Sequence, residues 1–248
     1  MSIFKDFVAG LLHTDQNGVT PDHDGEQFEQ GVKDKGCRGA SIIDRLIDCA
    51  ATTVSSDTAK RIGNNAFFGR SNLVEAKLPN VTYVGTTAFA GCYALVRADY
   101  PLATTVGQQA FYGCLKLAEV NLSKLWTVDK ETFLQCYALR KLDFPRVNTI
   151  QASAFKGCRL LTALVLRSTT MCRLRGSGAF TGCLHMLGTV DATHNPDGLQ
   201  DGYVYVPASL IASYQADSAW SAEGLQFRAL EDYTVDGTVT GELDETKI

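Results

Sequence analysis

The chain has 248 residues, a formal net charge of −4 and a pI near 5.6, a balance that gives no global attraction to nucleic acid or to an anionic membrane. It contains no run of 18 apolar residues, which speaks against a membrane-spanning helix. Its length allows one large domain or two small ones.

From Met1 to about Lys60 the sequence shows no repeat. Residues Met1 to Leu12 hold one Lys and short apolar patches broken by Asp6, which does not read as a secretory signal. Thr14 to Gly25 is rich in Asp, Asn, Gly and Pro and predicts a solvated loop. Asp15, Asn17, Asp22 and Asp24 resemble a calcium loop only superficially, since the Gly and closing Glu of an EF-hand are not at their places. Ser41 to Ala50 then sets Ile42, Ile43, Leu46 and Ile47 at helical spacing between charged residues. That pattern predicts an amphipathic helix suited to cap the first of the repeats that begin near Ile62.

From Ile62 to Cys183 one phrase returns, an Ala-Phe followed by Cys three residues after the Phe. The phenylalanines are Phe67, Phe89, Phe111, Phe133, Phe155 and Phe180, so the spacing is 22 residues four times and then 25. A fixed period of this length marks a stacked solenoid, in which each unit buries its apolar face only against its neighbours. The second unit shows the whole phrase in Val84, Gly85, Ala88, Phe89, Gly91, Cys92, Leu95, Ala98, Tyr100 and Pro101. Leu73 to Leu78 and its copies alternate apolar and polar residues and predict one parallel strand per rung. The Ala-Phe segment suits a short helical turn with Phe inward. Val81, Ala103, Leu125 and Val147 recur with the same period and should face the core as a third arm.

This phrase resembles the leucine-rich repeats of the BspA-like family, found in bacterial and protozoan surface proteins and in phage-derived proteins. The first unit departs from it with Arg70 in place of Cys, and the third with Ser123 in place of Pro. The resemblance implies a right-handed leucine-rich-repeat coil of the α/β class, here with about six rungs. It also implies a non-enzymatic binding or adhesion module at a cell surface or outside the cell, with a host or cell-surface protein or glycan as partner. The alternative is a structural or receptor-binding piece of a phage particle, or a cytoplasmic location.

Five cysteines (Cys92, Cys114, Cys136, Cys158, Cys183) occupy one repeat position. Rungs roughly 4.8 Å apart would permit disulfides between them, but a recurring small apolar position is better explained by core packing of free thiols. No Cys-x-x-Cys pair or Cys/His ligand pattern exists for zinc.

After Cys183 the period breaks. His185 to Gly202 reads as a loop, where His185 and His194 with Asp191, Asp197 and Asp201 make at most a weak cation site. Tyr203 to Pro207 restores the strand phrase as the sixth rung. A helix from about Ala208 to Ala219, a strand from Gln226 to Leu230 and a hairpin over Tyr233 to Glu242 come next. The organisation is thus an arm and capping helix over 1–61, repeats over 62–188, and a last rung with a strand-helix-strand cap over 189–248.

No phosphate-binding loop, nucleophile elbow or His-Glu-x-x-His motif occurs, and Gly176-Ser177-Gly178 reads as a three-residue insertion rather than a nucleophile turn. The outward strand columns read Glu75, Arg97, Glu119, Lys141 and Lys77, Asp99, Asn121, Asp143, a self-neutralising surface rather than a glycosidase pair. No enzyme activity, cofactor, metal, nucleic acid or membrane insertion is expected. Carried onward, the columns become apolar and aromatic at Ala163, Val165, Tyr203 and Tyr205. These four are the candidate binding residues if the patch is exposed. The competing reading is that the C-terminal tail, or a second copy of the chain, covers them.

Overall fold

The computed structural model describes residues 52–187 and 202–232. The expected loop over Thr14 to Gly25, the capping helix over Ser41 to Ala50, the hairpin over Tyr233 to Glu242, and His194, Asp191, Asp197 and Asp201 lie outside the described residues.

The chain winds into a solenoid of about seven turns. One face carries the parallel strands β1 (Thr53–Ser55), β3 (Glu75–Lys77), β5 (Arg97–Asp99), β7 (Glu119–Asn121), β9 (Lys141–Phe144), β11 (Ala163–Leu166), β13 (Tyr203–Val206) and β14 (Phe227–Ala229). A second face carries β2 (Arg61–Ile62), β4 (Tyr83–Val84), β6 (Thr105–Val106), β8 (Thr127–Val128), β10 (Thr149–Gln151) and β12 (Arg173–Arg175). Each face breaks once, between β7 and β9 and between β6 and β8. Both breaks border the unit in which Ser123 replaces Pro, and there Ser123 Oγ hydrogen-bonds Asn121 Oδ1.

The first turn lies upstream of any repeat read from the sequence. Strand β1 pairs with β3 in the register Thr53 to Glu75 and Val54 to Ala76, so the 22-residue step already operates there. It is hidden because Ser56 and Ala59 stand where later units have Leu78 and Val81. Buried Ser56 is tolerated because its Oγ accepts the backbone N–H of Thr58 and of Ala59, which satisfies a polar group that would otherwise be costly to bury.

The third side is the Ala-Phe segment. It forms successive turns rather than a helix, and the helices among the described residues, α1 (Ile211–Ala216) and α2 (Ser218–Ala222), belong to the C-terminal cap. In the turns, hydrogen bonds alternate between local and axial. Ala90 N–H donates to Thr87 of its own turn, while Phe89 N–H donates to Ala110 of the next rung. The residue two before each Phe takes a left-handed backbone: Asn65, Thr87, Gln109, Glu131, Ser153 and finally Gly178. Thr87, β-branched at φ +52°, is strained. Its N–H gains a bond to Gln108 of the next rung and its hydroxyl bonds the Asn65 side chain. Gly85 answers a different need, since a Cβ there would lie 2.5 Å from the Asn64 backbone nitrogen.

Inside, Phe67, Phe89, Phe111, Phe133 and Phe155 stack with centroids 5.0, 5.4, 5.5 and 5.8 Å apart and planes within 13°. Phe180 follows at 5.3 Å and the indole of Trp220 in α2 closes the column at 6.1 Å. Beside it runs the cysteine column. Each thiol donates to the carbonyl of a Phe one rung back: Cys92 to Phe67, Cys114 to Phe89, Cys136 to Phe111, Cys158 to Phe133 and Cys183 to Phe155, at 3.0 to 3.2 Å. All five are buried and free, as is Cys172. The third-arm residues Val81, Ala103, Leu125 and Val147 are fully buried, as expected.

At the C-terminal end, strand β13 pairs with β11 and β14 with β13, both parallel, so the last rung and strand fall where the sequence placed them. The helix expected over 208–219 is divided at Asp217, whose carboxylate caps α2 by accepting from Ala219 and Trp220 N–H. The three extra residues of the 25-residue unit are shared out. Arg173 follows its partner Thr149 by 24 positions, so two residues enter before β12 and one at Gly176-Ser177-Gly178.

Two measurements check this core. Phe111→Ala in the middle of the column should cost about 3 to 5 kcal/mol in denaturant melts. Burial pushes the Cys92 and Cys158 thiols up to about 12 and raises Cys114, Cys136 and Cys183 well above the ordinary range. Unfolded thiols ionise near 8.5, so the stabilisation is complete below that pH. It falls by about 1.4 kcal/mol per thiol per pH unit between there and the folded value, because only the unfolded state releases protons in that window. Alkaline melts should therefore lose stability from about pH 9, and less steeply in Cys136→Ala.

Candidate interaction surface

The strand face behaves as the columns predict over its first half. Glu75, Arg97 and Glu119 lie in register, with an ion pair from Arg97 to Glu119 and a hydrogen bond from Asn121 to Asp99 at 2.8 Å. Farther on, Arg167, which replaces the terminal Pro of its unit, grips Asp143 with Nε at 3.0 Å from both carboxylate oxygens. Such half-exposed pairs contribute at most about 1 kcal/mol each, and they leave this face with few uncommitted charges.

The apolar end of that face is closed. Ala163 and Val165 are fully buried and Tyr205 is 1% exposed. They form a small cluster with Leu230, which follows β14, and Tyr203 packs against its margin. The Arg228 guanidinium lies 3.6 Å from the Tyr203 ring centroid. The expected open patch is thus corrected to a second, minor core, to which Leu230, directly after β14, contributes. Only Tyr203 keeps partial exposure. The sequence did carry a signal: Ala163-Leu164-Val165-Leu166 is apolar at four successive positions, the mark of a strand covered on both faces.

The exposed apolar surface lies elsewhere. Among the described residues the large exposed hydrophobics are Phe68, Val74, Tyr93, Val96, Tyr112 and Trp126. The first five fall within residues 68–74 and the copies of that segment, 90–96 and 112–118, at the corner where each Ala-Phe turn passes into its strand. Half-buried Leu115, Leu134 and Tyr137 continue the same columns. Tyr93 leans on the next rung, where a Cβ on Gly113 would sit 3.8 Å from its Cε1. Period 22 therefore gathers these apolar side chains along one edge of the solenoid. Trp126 stands apart on the second face, 57% exposed, in the column of Thr82, Thr104 and Asn148.

Gly176-Ser177-Gly178 is part of the cap. Glu223 Oε1 accepts from Gly178 N–H at 2.8 Å and Ala179 N–H at 3.2 Å, and Oε2 accepts from Phe180 N–H at 3.2 Å. In inner rungs the corresponding N–H groups, such as those of Thr87 and Phe89, donate to carbonyls of the following rung. The carboxylate takes the place of the rung that does not exist. The cap also bonds the backbone of Cys172, whose N–H donates to Tyr214 Oη at 2.7 Å and whose carbonyl accepts from Trp220 Nε1 at 2.8 Å. Among the described residues no three His, Cys, Asp or Glu side chains gather in a way that could hold a metal, and His185 is buried. No helix among them is long and apolar enough to cross a membrane.

A parallel coil with this phrase defines a leucine-rich-repeat protein. The family model described as "BspA type Leucine rich repeat region" matches residues 60–187 in six copies, and the chain belongs to that family. No curated protein matches it. Two solved structures are similar. One is a leucine-rich repeat protein from Bacteroides ovatus, 21% identical at a TM-score of 0.50 over 72% of this chain and 42% of that one. The other is a leucine rich cell surface protein from Faecalibacterium prausnitzii, 24% identical at a TM-score of 0.49 over 62% of this chain and 38% of that one. The chain thus spans less than half the length of either.

Burial separates the two sets of aromatic residues by experiment. Tyr205→Ser should lower the melting temperature by several degrees, because it empties a packed site. Phe68→Ser should leave it within about two degrees, as for a surface change. Equal shifts in calorimetry would contradict this division.

Proposed function

We propose that the chain is a non-enzymatic binding module that recognises a protein or glycan on a host or cell surface, and that it engages this partner along the corner ridge. The observation that carries the reading is the gathering, on one edge of the solenoid, of five of the six large exposed hydrophobics among the described residues. Exposed apolar patches of this kind mark interaction sites, and Tyr adds contact area with a polar tip. The strand face, by contrast, holds ion pairs at one end and Leu230 over the other. Action at a cell surface or outside the cell is part of the same proposal and rests on the family resemblance.

The test uses purified, fluorescently labelled chain on intact eukaryotic and bacterial cells in parallel. Saturable binding to one of them is expected, and the combined change Phe68→Ser, Tyr93→Ser, Tyr112→Ser should weaken it at least about tenfold while leaving the melting temperature nearly unchanged. Unaltered binding by that variant would remove the ridge as the site. The absence of saturable binding to either cell type would remove the surface-binding reading itself.

A further inference from the structure

The corner ridge has a charge opposite to that of the molecule. Residues 68–74 and their copies 90–96, 112–118, 134–140, 156–162 and 181–187 contain no Asp or Glu, yet hold Arg70, Lys116, Arg140, Lys156 and Arg159. With 27 acids in 248 residues, 42 residues of average composition would hold about five. The chain as a whole is acidic, so the ridge is a basic stripe on an acidic body.

Lys116, Arg140, Lys156 and Arg159 also make no ion pair with any described residue, whereas cations of the adjoining strand face do: Lys77 with Glu75, Arg97 with Glu119 and Arg167 with Asp143. Arg159 instead lies 4.8 Å from the centroid of the Tyr137 ring, a cation–π arrangement that holds the guanidinium in place with no carboxylate partner among the described residues.

Along the axis the two properties are segregated. The most exposed large apolar residues of the ridge among those described, Phe68, Val74, Tyr93, Val96 and Tyr112, occupy the first three units, and Lys116, Arg140, Lys156 and Arg159 occupy the third to the fifth. A polyanion with evenly spaced charge, whether polysaccharide or nucleic acid, would meet cations over only part of the ridge, and the valines offer it no stacking surface. A protein segment with an apolar half and an acidic half fits both parts at once. Aromatic and Arg anchors are also what protein interfaces concentrate. Four rung steps of about 4.8 Å make a ridge of about 19 Å, the length of about six extended residues.

We propose that the corner ridge binds a short acidic and apolar segment of a partner protein, with apolar side chains on Phe68, Tyr93 and Tyr112 and carboxylates on Arg140, Lys156 and Arg159. This rests on the ridge being the binding surface and names the chemistry of its partner.

The experiment is selection of a phage-displayed library of randomised dodecapeptides on the purified chain, followed by titration of the enriched peptides. Those peptides should carry an excess of Asp and Glu next to a run of apolar residues. Their affinity should fall at least about tenfold with Arg140→Glu, Lys156→Glu, Arg159→Glu combined, and less with the three Gln changes. All three side chains are exposed, so both variants should keep the parent melting temperature. Failure to enrich any peptide, enrichment without acidic excess, or indifference to both variants would overturn the proposal. So would heparin binding that matches the best peptide and ignores Phe68→Ser and Tyr93→Ser, which would assign the stripe to a polyanion. Cell binding of the Glu variant separates the two levels. If binding to cells persists there but is lost in the aromatic variant, the ridge remains the site and only the acidic partner falls.

Discussion

Stacking at a fixed interval is the constraint on which the rest of this molecule depends. A phenylalanine placed every 22 residues has its neighbours about 5.0 to 5.8 Å away, close to the spacing of hydrogen-bonded strands. Ring contact, strand pairing and the thiol-to-carbonyl bonds of the cysteine column are therefore satisfied by the same translation. Each unit repeats the same inward residues because each must meet a copy of itself.

The same constraint makes the ends of the coil a problem, since a terminal rung has N–H groups aimed at a rung that is not there. The C-terminal cap supplies substitutes one for one. Trp220 stands for the next Phe, the Glu223 carboxylate for the next row of carbonyls, and strand β14 for the next strand. Gly178 belongs to this solution, because its left-handed backbone repeats that of Thr87 and turns its N–H toward Glu223. A motif that sequence inspection compares with a nucleophile turn is in fact part of the seal.

Outward positions answer to no such rule, and there the surface has differentiated. Acids and bases neutralise one another on the first half of the strand face, Leu230 joins a buried cluster on its second half, and the corner between turn and strand keeps aromatics and cations. The division follows from the geometry of the coil. Residues in one column differ by one rung, so a property repeated in sequence becomes a continuous stripe on the surface.

The sequence by itself determined the coil, its period, the inward Phe, Cys and third-arm residues and the register of the outward columns, because in a solenoid each contact joins residues one period apart. It also carried the restored strand at Tyr203 to Val206 and the strand after it. It did not reveal the first turn, where Ser56 and Ala59 replace larger residues and a local hydroxyl bond keeps the fold. It misjudged Ala163, Val165 and Tyr205, since alternation assigns them to the outside, whereas in the folded chain they are buried in a cluster that includes Leu230, distant in sequence. The second strand of each rung and the role of Glu223 were equally out of reach, because they depend on where a turn or a cap helix lies in space. The basic stripe occupies an intermediate place: its charges can be counted in the aligned units, but the exposure of Lys116, Arg140, Lys156 and Arg159, and their having no ion pair with any described residue, are properties of the folded chain alone.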